Sequence, residues 1–210
     1  MTQYVQFGCG LNAPDGWLNF DASPTLRIQR IPLIGKLLTR NMVTFPTGVK
    51  VGNIVEGLPG IKTESCDGIY SSHVLEHLSL NDCRRAIAMS YSYLKPGGVF
   101  RCILPDLEAF IAKYNRMRLE QNEDASIEFM HAVLLGQVER KVGLKGLAVS
   151  LLGHSHHLWM WDRYALAREL KNAGFSSVRE AVYKDSADKH FHIVDDEYRF
   201  NDGFGLEAIK

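Results

Sequence analysis

No apolar run in this chain approaches the roughly 20 residues that a bilayer-crossing helix needs. No pair of cysteines has CxxC spacing: Cys9, Cys66, Cys83 and Cys102 are scattered. That excludes a zinc ribbon or a disulfide framework and reads as reduced thiols. Neither sign of charge dominates, with 24 lysines and arginines against 24 aspartates and glutamates. The overall basic footprint of a dedicated nucleic-acid binder is therefore missing, and bulk nucleic acid is not expected as a partner, although a local basic face can still engage RNA. Repeats, low-complexity tracts and dividing linkers are also lacking. A single domain over residues 1–210 is expected, since 210 residues with 46% hydrophobic content can bury one full core. The first ten residues have neither a basic nor an apolar leader pattern, so no secretory signal and a cytoplasmic location are expected.

What the chain does contain is an alternation of short apolar runs with helix-period segments, the pattern of an α/β, doubly wound, largely parallel sheet. Strands are expected at Tyr4 to Phe7, Trp17 to Phe20, Val49 to Ile54, Asp67 to Ser71, Val99 to Leu104, Val178 to Tyr183 and Phe191 to Val194. Cys83, Ile87, Tyr91 and Leu94 have helical spacing, with Asn81 or Asp82 as the cap and Pro96-Gly97-Gly98 as the stop. A further helix runs from Asp162 to a Schellman-type ending at Gly174-Phe175. Between the fifth and sixth strands, about residues 106–160, the pattern is that of a helical cap interrupted by Gly136, Gly143, Gly146 and Gly153.

The loop after the first strand, Gly8-Cys9-Gly10-Leu11-Asn12-Ala13, fits the string G-x-G-x-x-A of dinucleotide-binding proteins. Pro14-Asp15-Gly16 follows at once, leaving no room for a helix whose N-terminus could hold a pyrophosphate. Asp21 also comes too early for the acid of that fingerprint. A glycine loop with a nearby carboxylate but no phosphate-binding helix suits a nucleoside ligand without phosphates, such as S-adenosylmethionine. A tight turn with no ligand is the alternative.

Five segments, FGCG, GWLNFDASP, CDGIYSSHVLEHLS, LKPGGVFRCILPDLE and LARELKNAGFSSV, occur in the order found in class I S-adenosylmethionine-dependent methyltransferases. The chain most resembles members associated with polysaccharide biosynthesis, over nearly its whole length except about 24–48 and 115–155. The resemblance implies a Rossmann-like, seven-stranded methyltransferase sheet with S-adenosylmethionine as cofactor. It implies Gly8, Cys9 and Gly10 beneath the methionine part, Asp21 on the ribose hydroxyls, Asn53 near the adenine edge, and backbone contacts from Ser71 and Ser72. Gln6 stands where the family usually has an acid. The implied reaction is O-methylation of a small molecule or glycan. A non-catalytic cofactor-binding or partner protein with the same fold is the alternative.

His73, Glu76 and His77 form H-x-x-E-H, also the string of inverted zinc peptidases, which require it within a long helix. On a helix, positions 73 and 77 would share a face and one metal. Similarity to small-molecule O-methyltransferases makes Glu76 a candidate catalytic base, with His77 as its rival and His73 beside them. Similarity to the E-x-x-E-H pattern of other methyltransferases makes the three a candidate metal site, with a fourth ligand from His154, His156 or His157. A purely structural role is equally open, and no obligatory metal is expected. Trp159 and Trp161 either stack on an acceptor ring or close the core. The stretch 26–38 mixes cations with large aliphatics and suits either an anionic membrane surface or an ordinary cap or partner surface.

Overall fold

The computed structural model describes residues 2–138 and 156–210. The chain enters as β1, Tyr4–Phe7, whose four side chains are all buried, and returns as β2, Trp17–Asp21. These neighbours are parallel, yet residues 8–16 between them form only turns. The expected absence of a first crossover helix is therefore observed. Two short helices follow, α1 (Pro24–Gln29) and α2 (Gly35–Leu38), leading to β3. That strand is just Lys50–Val51, shorter than the expected run to Ile54.

Next come β4 (Cys66–Ser72), a turn of 3-10 helix at Leu75–His77, and α3 (Leu80–Tyr93). The cap of α3 is Ser79, not Asn81 or Asp82. Its hydroxyl accepts from the Asp82 amide and donates to the Asp82 carboxylate. The chain passes from Tyr93 directly into β5, Leu94–Pro105. Pro96-Gly97-Gly98 sits inside that strand, between the pairs Cys66–Leu94 and Gly68–Val99 with β4, where the register shifts. Then follow α4 (Leu107–Leu119), α5 (Ala125–Ala132), α6 (Arg163–Asn172) and β6 (Ser177–Ala181). Asp162 caps α6 as expected, accepting from the Ala165 amide, and the Phe175 amide returns to the Leu170 carbonyl beyond a left-handed Gly174. Of the glycines expected to interrupt the cap, Gly143, Gly146 and Gly153 lie outside the described residues, as does His154.

The expected seventh strand is instead a helix, α7 (Phe191–Val194), and the last strand is β7 (Gly203–Ile209). A two-residue period would have buried Phe191 with Ile193. The structure buries Phe191 with Val194, the i, i+3 spacing of a helix, and exposes Ile193. Glycines at 203 and 205 and the charge of Glu207 hide β7 from any apolar count. Among the described residues the sheet order is β3-β2-β1-β4-β5-β7-β6, with only β7 antiparallel to its neighbours. Among the described residues no helix is long and apolar enough to cross a membrane.

Side chains alternate across the sheet. One face carries Val5, Phe7, Phe20, Ile69, Phe100, Cys102 and Leu104 and packs with α3 and α6 through Ala86, Ile87, Leu166 and Leu170. All four cysteines are free and buried. The other face carries Tyr4, Trp17, Tyr70 and Ile103, and is covered by Phe191 and Val194 of α7. Gly68 belongs to that contact, because a Cβ there would meet the rings of Tyr4 and Phe191 at 2.7–2.8 Å.

Arg101 of β5 points the same way and is completely buried. Its guanidinium donates to both oxygens of Asp195 (3.0 and 2.7 Å), to Asp185 (3.0 Å), to Glu207 (3.1 Å) and to the Val182 carbonyl (2.6 Å). Burial alone would lower its pKa, but the Asp195, Asp185 and Glu207 carboxylates raise it further above the ordinary arginine value. Removing one partner of such a buried cluster strands the rest, at a cost of about 3–5 kcal/mol. Arg101→Leu is therefore expected to lose about that much stability in urea unfolding. A loss below about 1 kcal/mol, the scale of an exposed ion pair, would show that the carboxylates are solvated in the folded protein.

Candidate functional site

Ligands of open α/β sheets bind beyond the carboxyl ends of the strands, where the strand order reverses. Here that point lies between β1 and β4. A cleft of about 660 Å³ opens there, lined by Gly8, Asp21, Ala22, Ser23, Pro24, Arg27, Asn53, His73, Val74, His77 and Leu78. Its walls are the residues that leave four parallel strands: Gly8 after β1, Ala22 after β2, Asn53 after β3 and His73 after β4.

Five of the residues singled out from the sequence thus meet in one place: Gly8, Asp21, Asn53, His73 and His77. Cys9, Gly10, Ser71, Ser72 and Glu76 are not among the lining residues. Cys9 instead packs with Leu26 and Val49, and burial together with the Asp21 carboxylate pushes its thiol up to about 12. Ser71 and Ser72 end β4 one position short of the cleft wall. Gln6 is buried and absent from the lining, so the missing family acid leaves the cleft wall unchanged. Ala22, Ser23, Pro24, Arg27, Val74 and Leu78 were not foreseen. The signal for three of them was available, since Ala22-Ser23-Pro24 directly follows the candidate acid.

Asp21 already has work to do within the protein. One carboxylate oxygen accepts the Gly10 amide (2.9 Å) and the other accepts the Ser23 amide (2.7 Å). It thereby ties the glycine loop to the start of α1, and each oxygen retains capacity for a further donor. Gly8 is left-handed (φ 64°), and a Cβ there would drive into the Val74 side chain. The close approach that excludes a side chain at Gly8 is thus to the protein's own valine. Gly10 is also left-handed, but nothing stands within 4 Å of its Cβ position. Asn53 forms a local turn, its carbonyl accepting from the Val55 amide and its amide donating to Glu56.

The H-x-x-E-H string does not lie in a helix. His73 has φ 54°, an uncommon left-handed value for a non-glycine residue, and only Leu75–His77 make a 3-10 turn. The long helix required by the peptidase reading is absent, and the two imidazoles share a cleft wall, not a helical face. His73 is held at both ends: its amide donates to the Ile103 carbonyl and its Nε2 lies 2.9 Å from the Arg199 carbonyl. Burial lowers its pKa. Nδ1 of His77 lies 3.1 Å from the His156 carbonyl, which sets the proton on Nδ1 and turns Nε2 into the acceptor.

Glu76 stands behind both rings, only 1% exposed, with its Oε1 3.6 Å from His73 Nδ1 and 4.0 Å from His77 Nε2. Neither oxygen has a hydrogen-bond partner among the described residues. Burial pushes its carboxyl up to about 8. Its backbone carbonyl accepts from Leu158 and Trp159, which docks segment 156–161 on the turn. That brings His157 close, so that ligand atoms of Glu76, His77 and His157 lie within 4.8 Å of one another. Burial lowers His157 to about 4, keeping it neutral and able to ligate. The group able to hold a metal is therefore Glu76, His77 and His157, with His73 outside it. Trp161 is buried core, whereas Trp159 is exposed with its ring 6.1 Å away.

A family model for a methyltransferase domain matches residues 13–180. No curated protein matches the sequence. Among solved structures, an S-adenosylmethionine-dependent methyltransferase from Archaeoglobus fulgidus superposes with a TM-score of 0.54 at 15% identity, covering 100% of this chain and 86% of its own. A possible histamine N-methyltransferase from Thermotoga maritima gives 0.52 at 17% identity, covering 100% and 83%. A putative methyltransferase of Haloferax volcanii, in complex with the Trm112 activator, gives 0.50 at 15%, covering 99% and 82%. At such identities the likeness establishes the fold, a seven-stranded Rossmann-like sheet.

The raised Glu76 pKa has a consequence for stability. Its ordinary value is 4.5 and its folded value about 8. The folded state therefore binds more protons than the unfolded state between those limits, and stability falls as pH rises through them. Glu76→Gln removes this dependence. In chemical denaturation the variant's stability relative to wild type should climb steadily from about pH 4.5 to about pH 8. A constant difference across that range would mean that the carboxylate is ionised and compensated in the folded protein.

Proposed function

The chain belongs to the methyltransferase-domain family, and we propose that it binds S-adenosylmethionine in the cleft beyond β1 and β2 and methylates an acceptor oxygen of a small molecule or glycan. The observation that carries this reading is the meeting of a carboxylate at the end of β2 with the imidazoles of His73 and His77 at the exit of β4. Between them lies space of the size that small-molecule sites use, roughly 300–1,000 Å³. The donor and acceptor set suits the group. Asp21 supplies an anionic oxygen for a ribose diol, and Asn53 stands further along the same wall. When bound, S-adenosylmethionine supplies an electrophilic methyl group on a sulfonium sulfur.

A sulfonium is already activated, so the protein's task is to align the acceptor and take its proton. Glu76 is too deeply buried for direct contact with an acceptor, which leaves His77 as the group that meets it. Its Nε2 accepts the hydroxyl proton as the oxygen becomes bonded to carbon. The imidazolium that forms then lies 4.0 Å from the Glu76 carboxyl. Glu76 is accordingly a positioning residue that senses the charge on His77. His73, fixed by Ile103 and Arg199, closes the wall next to it.

Calorimetry with S-adenosylhomocysteine tests the first half of the reading. The wild type should bind, and Asp21→Ala should lose about 1.5–3 kcal/mol of affinity, the scale of hydrogen bonds to a charged acceptor. Because Asp21 also holds the amides of Gly10 and Ser23, the variant should be less stable too. Its folded fraction must be measured in the same samples. An unchanged dissociation constant in folded variant removes Asp21 from the site, and no binding by the wild type sinks the proposal.

One observation favours a second reading. Glu76, His77 and His157 present one carboxylate and two imidazoles, a set that suits zinc, manganese or iron. Elemental analysis of the purified protein decides between them. A stoichiometric transition metal lost on His157→Ala replaces the general-base role of His77 with metal-assisted activation of the acceptor. Metal-free protein that turns over in the presence of a chelator retains it.

A further inference from the structure

The segment between β2 and β3 has its polarity turned inside out. Three of its polar side chains, Gln29, Arg30 and Thr39, are spent on its own backbone. The Gln29 amide donates to the Val43 carbonyl and accepts from the Phe45 amide. Arg30 donates to the carbonyls of Pro46, Thr47 and Val49, and the buried Thr39 hydroxyl donates to Gly35. Its aliphatic side chains face the other way. Ile31, Leu33, Ile34, Leu37, Leu38, Met42 and Val43 are all exposed, whereas Leu26 and Val49 are buried.

Leu33 marks the tip. It is completely exposed and stands at φ 69°, a left-handed conformation that favours glycine. Gly35 lets the start of α2 press on the Ile28 and Gln29 carbonyls at the end of α1, where a Cβ would collide. Soluble monomers rarely expose so many large aliphatics together without something to cover them.

The charge of the segment says what covers them. Residues 22–55 contain Arg27, Arg30, Lys36, Arg40 and Lys50 and no aspartate or glutamate at all, in a chain whose overall charges balance. Aliphatics that project from a purely cationic surface match an anionic bilayer, whose headgroups take the cations while its acyl region takes the side chains. We propose that the α1–α2 hairpin seats this protein on the surface of an anionic lipid bilayer, with Leu33 and Leu37 as inserted side chains. Helix α1 also supplies Pro24 and Arg27 to the cleft wall, so the cleft opens beside the seated hairpin. This seating does not depend on the methyl-transfer reading and is tested apart from it.

The probe is flotation with vesicles of phosphatidylcholine alone or mixed with phosphatidylglycerol. Wild type should float with the mixed vesicles at least about tenfold more than with phosphatidylcholine alone, and should be released as salt is raised. Leu33→Ser/Leu37→Ser should lose that binding by at least about tenfold, and Arg40→Gln/Lys50→Gln should weaken it in proportion to the charge removed. All four positions are exposed, so unfolding midpoints should match wild type. The salt titration of the wild type tests the charge requirement without any variant. Equal flotation with neutral vesicles, no flotation at all, or leucine variants that bind like wild type would each overturn the proposal. So would self-association that the leucine variants abolish while vesicles are ignored, which would assign the surface to a second copy of the chain.

Discussion

Arg101 is the charge around which the lower side of this molecule is assembled. A guanidinium in the middle of a sheet can be buried only if acceptors surround it, and the chain draws them from far along its length. Asp185 and Asp195 flank α7, Glu207 lies on the adjacent strand, and the Val182 carbonyl closes the set. This fixes residues 182–207 beneath β1, β4 and β5. The Phe191 ring then sits against Tyr4, Trp17 and Tyr70, with centroids 5.6–6.5 Å apart. In a doubly wound sheet that side of β1 and β2 would ordinarily be covered by a crossover helix. Here the turns of residues 8–16 cannot cover it, and the C-terminal segment does so instead.

The same segment reaches the cleft. Nε2 of His73 lies against the carbonyl of Arg199, which stands in the chain between the Arg101-bound Asp195 and Glu207. His73 is thus held in its left-handed conformation from two directions, by β5 through Ile103 and by the C-terminal segment through Arg199. A strained residue persists only where its surroundings over-determine it. Electrostatics at this wall follow from burial more than from pairing. Burial raises the carboxyl of Glu76 and lowers the imidazoles of His73 and His157, so the proton favours the acid over either of those two rings. Such a cluster is poised for a proton or a cation to arrive, because either one creates a charge that the neighbouring group can answer.

Much of the sheet was legible in the sequence for a simple reason. Strands β1, β2, β4 and β5 are buried on both faces or nearly so, and such strands read as unbroken apolar runs. The absence of a first helix was equally legible from Pro14 and Gly16. The outer elements were not. β7 is broken by glycines and carries Glu207, whose charge makes sense only beside Arg101 and Arg179. Phe191–Val194 is too short for its period to distinguish strand from helix, and the aromatic pocket under the sheet decided it. Nothing local in the acidic run from Asp185 to Asp202 marks its role, yet two of its members, Asp185 and Asp195, are partners of a buried arginine.

For the site, local chemistry was readable and mutual placement was not. The sequence alone determined that a glycine loop, a carboxylate and an H-x-x-E-H string follow the ends of three strands, because strand ends and turn residues are local properties. Only the tertiary structure decided which of those side chains face the cleft. It turned Glu76 inward and His73 and His77 outward, placed His157 beside them from 80 residues away, and put Val74 against Gly8. Those outcomes depend on how a left-handed His73 and a three-residue turn aim the chain after β4. That aim is set by contacts with β5 and the C-terminal segment, which no stretch of sequence around position 73 contains.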